Sequence, residues 1–491
     1  MLPIETLFTI DKKSPEPAYR QLYRQIIQLI TESRLIPGSK LPSTRELASA
    51  LHLNRMTILK ALEELESQGW VEKRPRKGIF VSANLPVTKA QPLGKNMNIR
   101  ERGSERTGFK VSTKNHIPQH STGVYRHKID EGLPDVRLAP LKELGQNYKR
   151  ILLNPAYSTS LGYGPPLGDP LLREELSCFL NGSRGLGTKP ENIAVLRGSH
   201  MALNLLSKVL ICPGDKVAVG SSNYLGADVA FLDACAKLKR IPVDEEGLDA
   251  DYFKRLCEKE NIRGLYLTPH HHHPTTVTLS ADRRLKILEI ANRFGIFIIE
   301  DDYDYDFHYG HGPYLPLASM DRGGNVIYIG SFTKSLAPTF RVGYMVAPKN
   351  LIDRIEQERV LTDRQGDLIL ERTIAELIKE GVIQQHLRKS LRIYQKRRDL
   401  MAEILTQDFA EFLQFEIPSG GMSIWAEAVN DLDLELVSAR MIKRYGWWIP
   451  DYKKFNAFGL NHREGIRLGF ASLNEKEMRV GLGYLLKCSR G

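Results

Sequence analysis

Cysteine is scarce in this chain, with five in 491 residues. Cys178, Cys212, Cys235, Cys257 and Cys488 are scattered, odd in number and never spaced as CxxC. That argues against a disulfide framework or a cysteine zinc site and fits a reducing cytoplasm. Long apolar runs are missing too. No stretch approaches the length a bilayer span requires, and the amino terminus lacks the apolar core of a secretory signal, so no membrane partner is expected. No internal repeat is apparent. A hydrophobic share of 42% and a charged share of 26% are those of an ordinary globular chain. Its length exceeds what one core supports and suggests two to four domains.

The net charge of +11 is unevenly placed. Residues 1–82 carry 13 Lys/Arg against 9 Asp/Glu, and residues 83–128 carry 9 against 2, so residues 129–491 are balanced. A basic front on a neutral body is the footprint of a nucleic-acid-binding head. Charge alone leaves a merely solubilising tail equally open.

Three regions follow from the pattern. Residues 14–82 read as compact helices and a strand pair. Residues 83–128 are rich in Pro, Gly, Ser, Thr, Asn and Lys without apolar period, which reads as a flexible basic linker. From 129 to 491, apolar helical stretches alternate with short runs: IAVL at 193–196, KVAVG at 216–220, GLYLT at 264–268, IFIIE at 296–300 and VIYIG at 326–330. Such alternation predicts an α/β domain with a largely parallel sheet and a ligand site outside the strand ends.

In the front region, Leu22, Ile26, Leu29 and Ile30 recur at helical spacing. Pro37-Gly38 breaks the chain, and Ser43-Thr44-Arg45-Glu46 forms a capping box that opens a short second helix. A turn at His52-Leu53-Asn54 leads to a third helix carrying Leu59, Leu62 and Leu65 inward. Two short helices across a tight turn form a helix-turn-helix, whose second helix enters the major groove by its amino end, here Asn54, Arg55 and Thr57. Residues 69–81 read as two strands around a basic turn, a wing able to lie along the DNA backbone. A plain three-helix packing module is the alternative. The segment PAYRQLYRQI…LIPGSKLPSTRELASALHLNRMTILKALEELESQGWVEKRPRKGIFVS resembles the GntR-family winged helix along its entire length. The resemblance implies double-stranded operator DNA as partner, with Ser43, Thr44, Arg45, Arg55, Thr57 and Gly78 at DNA-contacting positions.

The later region supplies candidates for a pyridoxal-phosphate site. Such a site needs a lysine for a Schiff base, an acid at the pyridine nitrogen, phosphate anchors and a stacking ring. Lys334 follows the strand VIYIG between the hydroxyls of Ser331, Thr333 and Ser335, and Arg341 lies seven residues on. The strand IFIIE delivers Asp301 to its carboxyl end, facing the same crevice, with Tyr303 able to donate to the ring's phenolic oxygen. Asp302-x-Asp304-x-Asp306 begins like a calcium loop, but Phe307 and Pro313 stand where that loop needs Gly and Glu. Gly198-Ser199-His200 makes a glycine turn before a helix, a natural phosphate cradle. Tyr224, in SSNYLG, is placed to stack on a cofactor ring.

The blocks LGYGPPLGDPLLREEL, LRGSHMALNLLSKVLICPGDKV, TPHHHHPTT, IEDDYDYDF and GSFTKSLAPTFRVGY resemble, in order, those of a fold-type I aminotransferase domain. With the GntR head, the pairing is similar to the MocR-type subfamily of transcriptional regulators. That resemblance implies pyridoxal 5'-phosphate as cofactor, with Lys334 forming the internal aldimine, Asp301 at the pyridine nitrogen and Tyr303 at the ring oxygen. It places Ser199, His200, Ser331, Thr333 and Arg341 around the phosphate, and Arg467 of GIRLGFAS at an effector carboxylate. The residues alone leave Arg467 open to pairing with a local acid.

The expectation is a regulator that senses the cofactor, an amino compound, or both. An active aminotransferase tethered to DNA is the alternative, and at most partial transaminase chemistry is expected. The resemblance further implies a homodimer reading repeated half-sites. One departure stands out: the family's His-Gln pair and Pro-Thr-Gly turn are replaced by His270 to His273 and Pro274-Thr275-Thr276. Four adjacent histidines in an extended segment alternate sides, so no metal site is expected there.

Overall fold

The computed structural model describes residues 7–86, 107, 109–110, 125, 127–310, 312, 314–450 and 464–491. Most of the predicted linker, 83–128, lies outside the described residues. The chain forms two compact units, Met1–Ser112 and Thr113–Gly491.

In the first unit, α1 (Ala18–Thr31) buries Leu22, Ile26, Leu29 and Ile30 along one stripe. Ser43 accepts from the Glu46 amide and Glu46 reaches back to the Ser43 amide, so the capping box opens α2 (Thr44–Ala50). Asn54 caps α3 (Arg55–Ser67) by accepting from the Met56 amide. The inward residues of α3 are Ile58, Ala61, Leu62 and Leu65. Leu59 is only half-buried, contrary to the sequence reading. Asn54 fixes where the helix starts, and that start turns Ile58 to the core. Strands β1 (Val71–Arg74) and β2 (Gly78–Val81) pair antiparallel around a turn at Pro75–Lys77. Trp70, Val71 and Val81 close this core against the helices.

The second unit is built on a seven-stranded sheet. Its strands are β3 (Ile193–Leu196), β4 (Lys216–Gly220), β5 (Lys237–Ile241), β6 (Ile262–Leu267), β7 (Phe297–Asp301), β8 (Val326–Ser331) and β9 (Gly343–Val346). Their spatial order is β3-β9-β8-β7-β6-β4-β5. The pairs among β8, β7, β6, β4 and β5 are parallel, while β9 runs antiparallel to both β8 and β3. Five of these strands match the apolar runs in the sequence to within about two residues. The runs are nearly continuous because both faces are covered: β3 is buried throughout, as are Val326 to Gly330 of β8. Edge strand β5 (KLKRI), half-exposed and rich in lysine, gave no such run. A three-stranded antiparallel sheet of β10 (Leu413–Phe415), β11 (Ser423–Ala428) and β12 (Gly465–Gly469) completes the frame for the site.

Candidate functional site

The parallel strands end on one side of the large sheet, and the residues just beyond those ends surround a cavity of about 320 Å³. Helix α4 (Ser199–Leu210) begins after a two-residue turn, Arg197-Gly198, that leaves β3, and the short helix α5 (Phe332–Ser335) follows β8 directly. Because β9 is reversed, its first residues lie at the same end of the sheet, which brings Arg341 to the cavity. Ser199, His200, Tyr224, Asp301, Tyr303, Ser331, Thr333, Lys334, Arg341 and Arg467 all line it.

The acid at the floor is Asp301. Its Oδ2 accepts from the Tyr266 hydroxyl at 3.0 Å, and its Oδ1 is buried without a hydrogen-bond partner among the described residues. Burial, with Asp302 and Asp304 adding repulsion, raises its pKa to about 7. Lys334 donates from Nζ to the Gly132 carbonyl at 2.6 Å. Burial, then the charge of Arg467, pulls its pKa below the usual lysine value. Tyr303 donates to the His271 carbonyl at 2.9 Å and accepts from Arg467 at 3.0 Å.

At the other end, the α4 amino terminus has Gly198 as its cap, at φ +84°, with no side chain closing the helix. A Cβ there would stand 3.3 Å from the Arg341 guanidinium, so glycine leaves room for a small anion between them. Arg341 is held by the Arg197 carbonyl at 2.8 Å. Tyr224 shares a short hydrogen bond with the His200 ring and presents its own ring edge-on to His273, 5.2 Å between centroids. His200 is thus tied to Tyr224 at Nε2, and burial lowers its pKa.

Arg467, on β12, is 1% exposed. It donates to the carbonyls of Glu131 (2.9 Å) and Pro274 (3.0 Å) and to Tyr303, and no carboxylate pairs with it among the described residues. The local-acid alternative is therefore set aside by the geometry. A buried guanidinium without a counter-charge suits an anionic ligand group.

Six further residues line the cavity that sequence reasoning did not assign: Glu131, Leu133, Tyr266, Thr268, His273 and Pro338. Tyr266 could have been suspected, since it sits in the quoted strand run beside the one bearing Asp301. The four histidines separate: His270 faces Asp302 at 3.1 Å, His271 faces Asp304 at 2.8 Å, His272 meets Thr275 at 2.8 Å, and His273 lines the cavity. Among the described residues no three His, Cys, Asp or Glu groups converge as for a metal ion. Asp306 holds the buried Arg184 at 3.0 Å, so the alternating acids answer bases rather than calcium.

In the head, Arg45 and Arg55 are exposed in the first turns of α2 and α3, with Thr44 and Thr57 half-exposed beside them. Ser43, also exposed, spends its hydroxyl oxygen on the α2 cap. Gly78, at φ +116°, is exposed in the first position of β2 after the wing turn.

The cavity fits pyridoxal phosphate on three counts: an orphaned buried carboxylate oxygen, an amine in reach of the space, and an anion cradle of helix terminus and arginine. Residues 127–485 match the family model for aminotransferase class I and II, and residues 18–81 that for the gntR family of bacterial regulatory proteins. The chain belongs to the class I and II aminotransferases in its body and to the GntR family in its head, the MocR-type pairing. It is 27% identical to the probable rhizopine catabolism regulatory protein MocR of Rhizobium meliloti, over 98% of this chain and 95% of that one. It is also 27% identical to the regulator TauR of Rhodobacter capsulatus, over 100% of both. The body is similar to LysN, the alpha-aminoadipate aminotransferase of Thermus thermophilus solved with N-(5'-phosphopyridoxyl)-L-leucine. TM-score is 0.69 and identity 27%, covering 74% of this chain and 93% of that one. The cofactor of this MocR-type chain is pyridoxal 5'-phosphate.

Proposed function

We propose that this MocR-type chain is a pyridoxal-phosphate-dependent transcriptional regulator that binds operator DNA through its head and senses the cofactor, an amino compound, or both in its body. The observation that carries this reading is one cavity uniting Lys334, the orphaned Oδ1 of Asp301 and the Gly198–Arg341 cradle, in a chain that opens with a GntR head. When bound, the cofactor supplies a carbonyl for covalent capture and an electron-withdrawing ring. Lys334 would hold it by its amine, which the lowered pKa leaves less protonated than an ordinary lysine. Asp301 would accept a hydrogen bond from the protonated pyridine nitrogen at Oδ1, while Tyr266 keeps that carboxylate oriented. Ser199, His200, Ser331, Thr333 and Arg341 would grip the phosphate, Tyr224 would cover the ring, Tyr303 would meet its oxygen, and Arg467 would take an effector carboxylate.

In the head, Thr44, Arg45, Arg55 and Thr57 would reach phosphates and base edges, with Ser43 and Gly78 at the backbone. Residues 83–128 would act as the linker between the DNA-binding domain, 14–82, and the body, 129–491. A ligand changes the output only if it binds two states of the protein unequally. We also propose a cytoplasmic homodimer. Leu153, Leu161, Tyr163 and Leu361 are each more than 60% exposed, apolar side chains that a second copy would cover. Among the described residues no helix is long and apolar enough to cross a membrane.

The test compares wild type with Lys334→Ala. Wild type should show a visible band on adding pyridoxal phosphate that borohydride bleaches, and its DNA affinity should respond to cofactor or amines. The variant should bind DNA without band or response. An unchanged response removes Lys334 from sensing. Turnover with a keto-acid acceptor at about 1–10³ per second would favour the tethered-enzyme reading instead.

A further inference from the structure

The helix expected to enter the major groove exposes an apolar side chain at the end that enters. Met56 lies in the first turn of α3, between Arg55 and Thr57, and is 69% exposed. It takes no part in the core of the head. Helix α3 buries Ile58, Ala61, Leu62 and Leu65, and its opposite face presents Met56, Lys60 and Glu63, with half-buried Leu59 at the flank. Side chains on a helix lean toward its amino terminus. Met56 therefore leans to the groove-entering end of α3, where the side-chain oxygen of Asn54 is already spent on the Met56 amide at 2.9 Å.

Met56 thus stands among polar neighbours without their chemistry. Arg55 and Thr57 can hydrogen-bond phosphates or base edges, whereas a thioether has no donor and only a weakly accepting sulfur. Pressed against the donors and acceptors of a base edge, Met56 would displace water and return nothing. The major groove of unmodified DNA offers one apolar group, the C5-methyl of thymine. An unbranched, polarisable side chain moulds readily to such a contact.

Resting on the reading of the head as an operator-binding domain, we propose that Met56 is a specificity-determining residue that packs on a thymine methyl in each operator half-site. The methyl and the thioether shield each other from water. A cytosine or guanine at that place leaves Met56 against a polar edge.

The full-length protein, loaded with pyridoxal phosphate, selects duplexes from a random-sequence library, wild type beside Met56→Ala. Because Met56 is exposed, the variant should keep the wild-type melting temperature. The duplex that wild type enriches is then remade with uracil in place of each thymine in turn, which removes one methyl and keeps every hydrogen-bonding group. At one thymine of each half-site, uracil should weaken wild-type binding about fourfold, the loss for one buried apolar carbon. Met56→Ala should bind the thymine and uracil duplexes alike at that place and should no longer enrich thymine there. A wild type indifferent to every methyl overturns the role of Met56 and leaves the operator-binding reading standing. A methyl effect that persists in Met56→Ala at every thymine likewise overturns the assignment. A wild type that enriches no sequence overturns the operator-binding reading and this inference together.

Discussion

Tyr266 donates its hydroxyl proton to Oδ2 of Asp301 at 3.0 Å and leaves Oδ1 with no partner among the described residues. The register explains the contact. Tyr266 stands opposite Ile299, two residues before Asp301, so both side chains project from the same face of adjacent parallel strands. One oxygen is spent on orientation, and the other meets the cavity.

Replacing Asp301 by Asn should keep the shape and lose the charge. Affinity for pyridoxal phosphate should fall by about 10- to 100-fold, the range for a hydrogen bond to a charged partner. Equilibrium titration of the visible band measures it. Unchanged affinity would mean that the carboxylate does not face the pyridine nitrogen.

The same carboxyl gives the cofactor-free protein a pH signature. Its folded pKa is raised to about 7, by burial first. A raised folded pKa gives stability that is complete below the unfolded value, about 4, and is lost as pH rises through about 7. From about pH 5 to about pH 8 the wild type should therefore lose melting temperature relative to Asp301→Asn. Parallel melting curves across that range would show that Asp301 is ionised throughout in the folded protein.

In the head, Ile58 is fully buried whereas Leu59 is half-exposed. Ile58→Ala should cost about 2–5 kcal/mol, and Leu59→Ala under about 1 kcal/mol. Urea unfolding of the two variants separates them. Similar losses would mean that α3 presents a different face to the core.

Thr276 occupies the place of the family's turn glycine at φ +63°, a left-handed conformation that a β-branched residue resists. Thr276→Gly should relieve that strain and stabilise the body by about 1 kcal/mol, after allowing for the added freedom of the unfolded chain. A lowered melting temperature would show that the Thr276 side chain contributes more packing than its backbone costs.

Arg55 is exposed at the start of the helix expected to enter the groove. If it meets a phosphate, Arg55→Ala should weaken binding alike on every sequence and reduce the salt slope by about 1. If it reads a base, the loss should appear at one operator position. Undiminished binding at every salt concentration would place Arg55 outside the interface.

The division between sequence and tertiary structure follows from how far each signal travels along the chain. Local features were legible. The Ser43–Glu46 cap, the α1 stripe and the apolar runs of β3, β4, β6, β7 and β8 depend on residues within about four positions of one another. The cavity's outline was legible as well, because residues that follow parallel strands gather at one end of the sheet whatever the details of packing. Which side chains face each other was not. The pairing of Tyr266 with Asp301 depends on cross-strand register, and that of His270 with Asp302 on a loop folded back over 32 positions. Arg467 reaches Glu131 across 336 residues. Such contacts leave no periodicity in either segment. The sequence by itself determined two folded units, a helix-turn-helix and an α/β sheet, with the candidate cofactor residues at its strand ends. Only the tertiary structure decided that Glu131 joins their cavity and that the histidines part company.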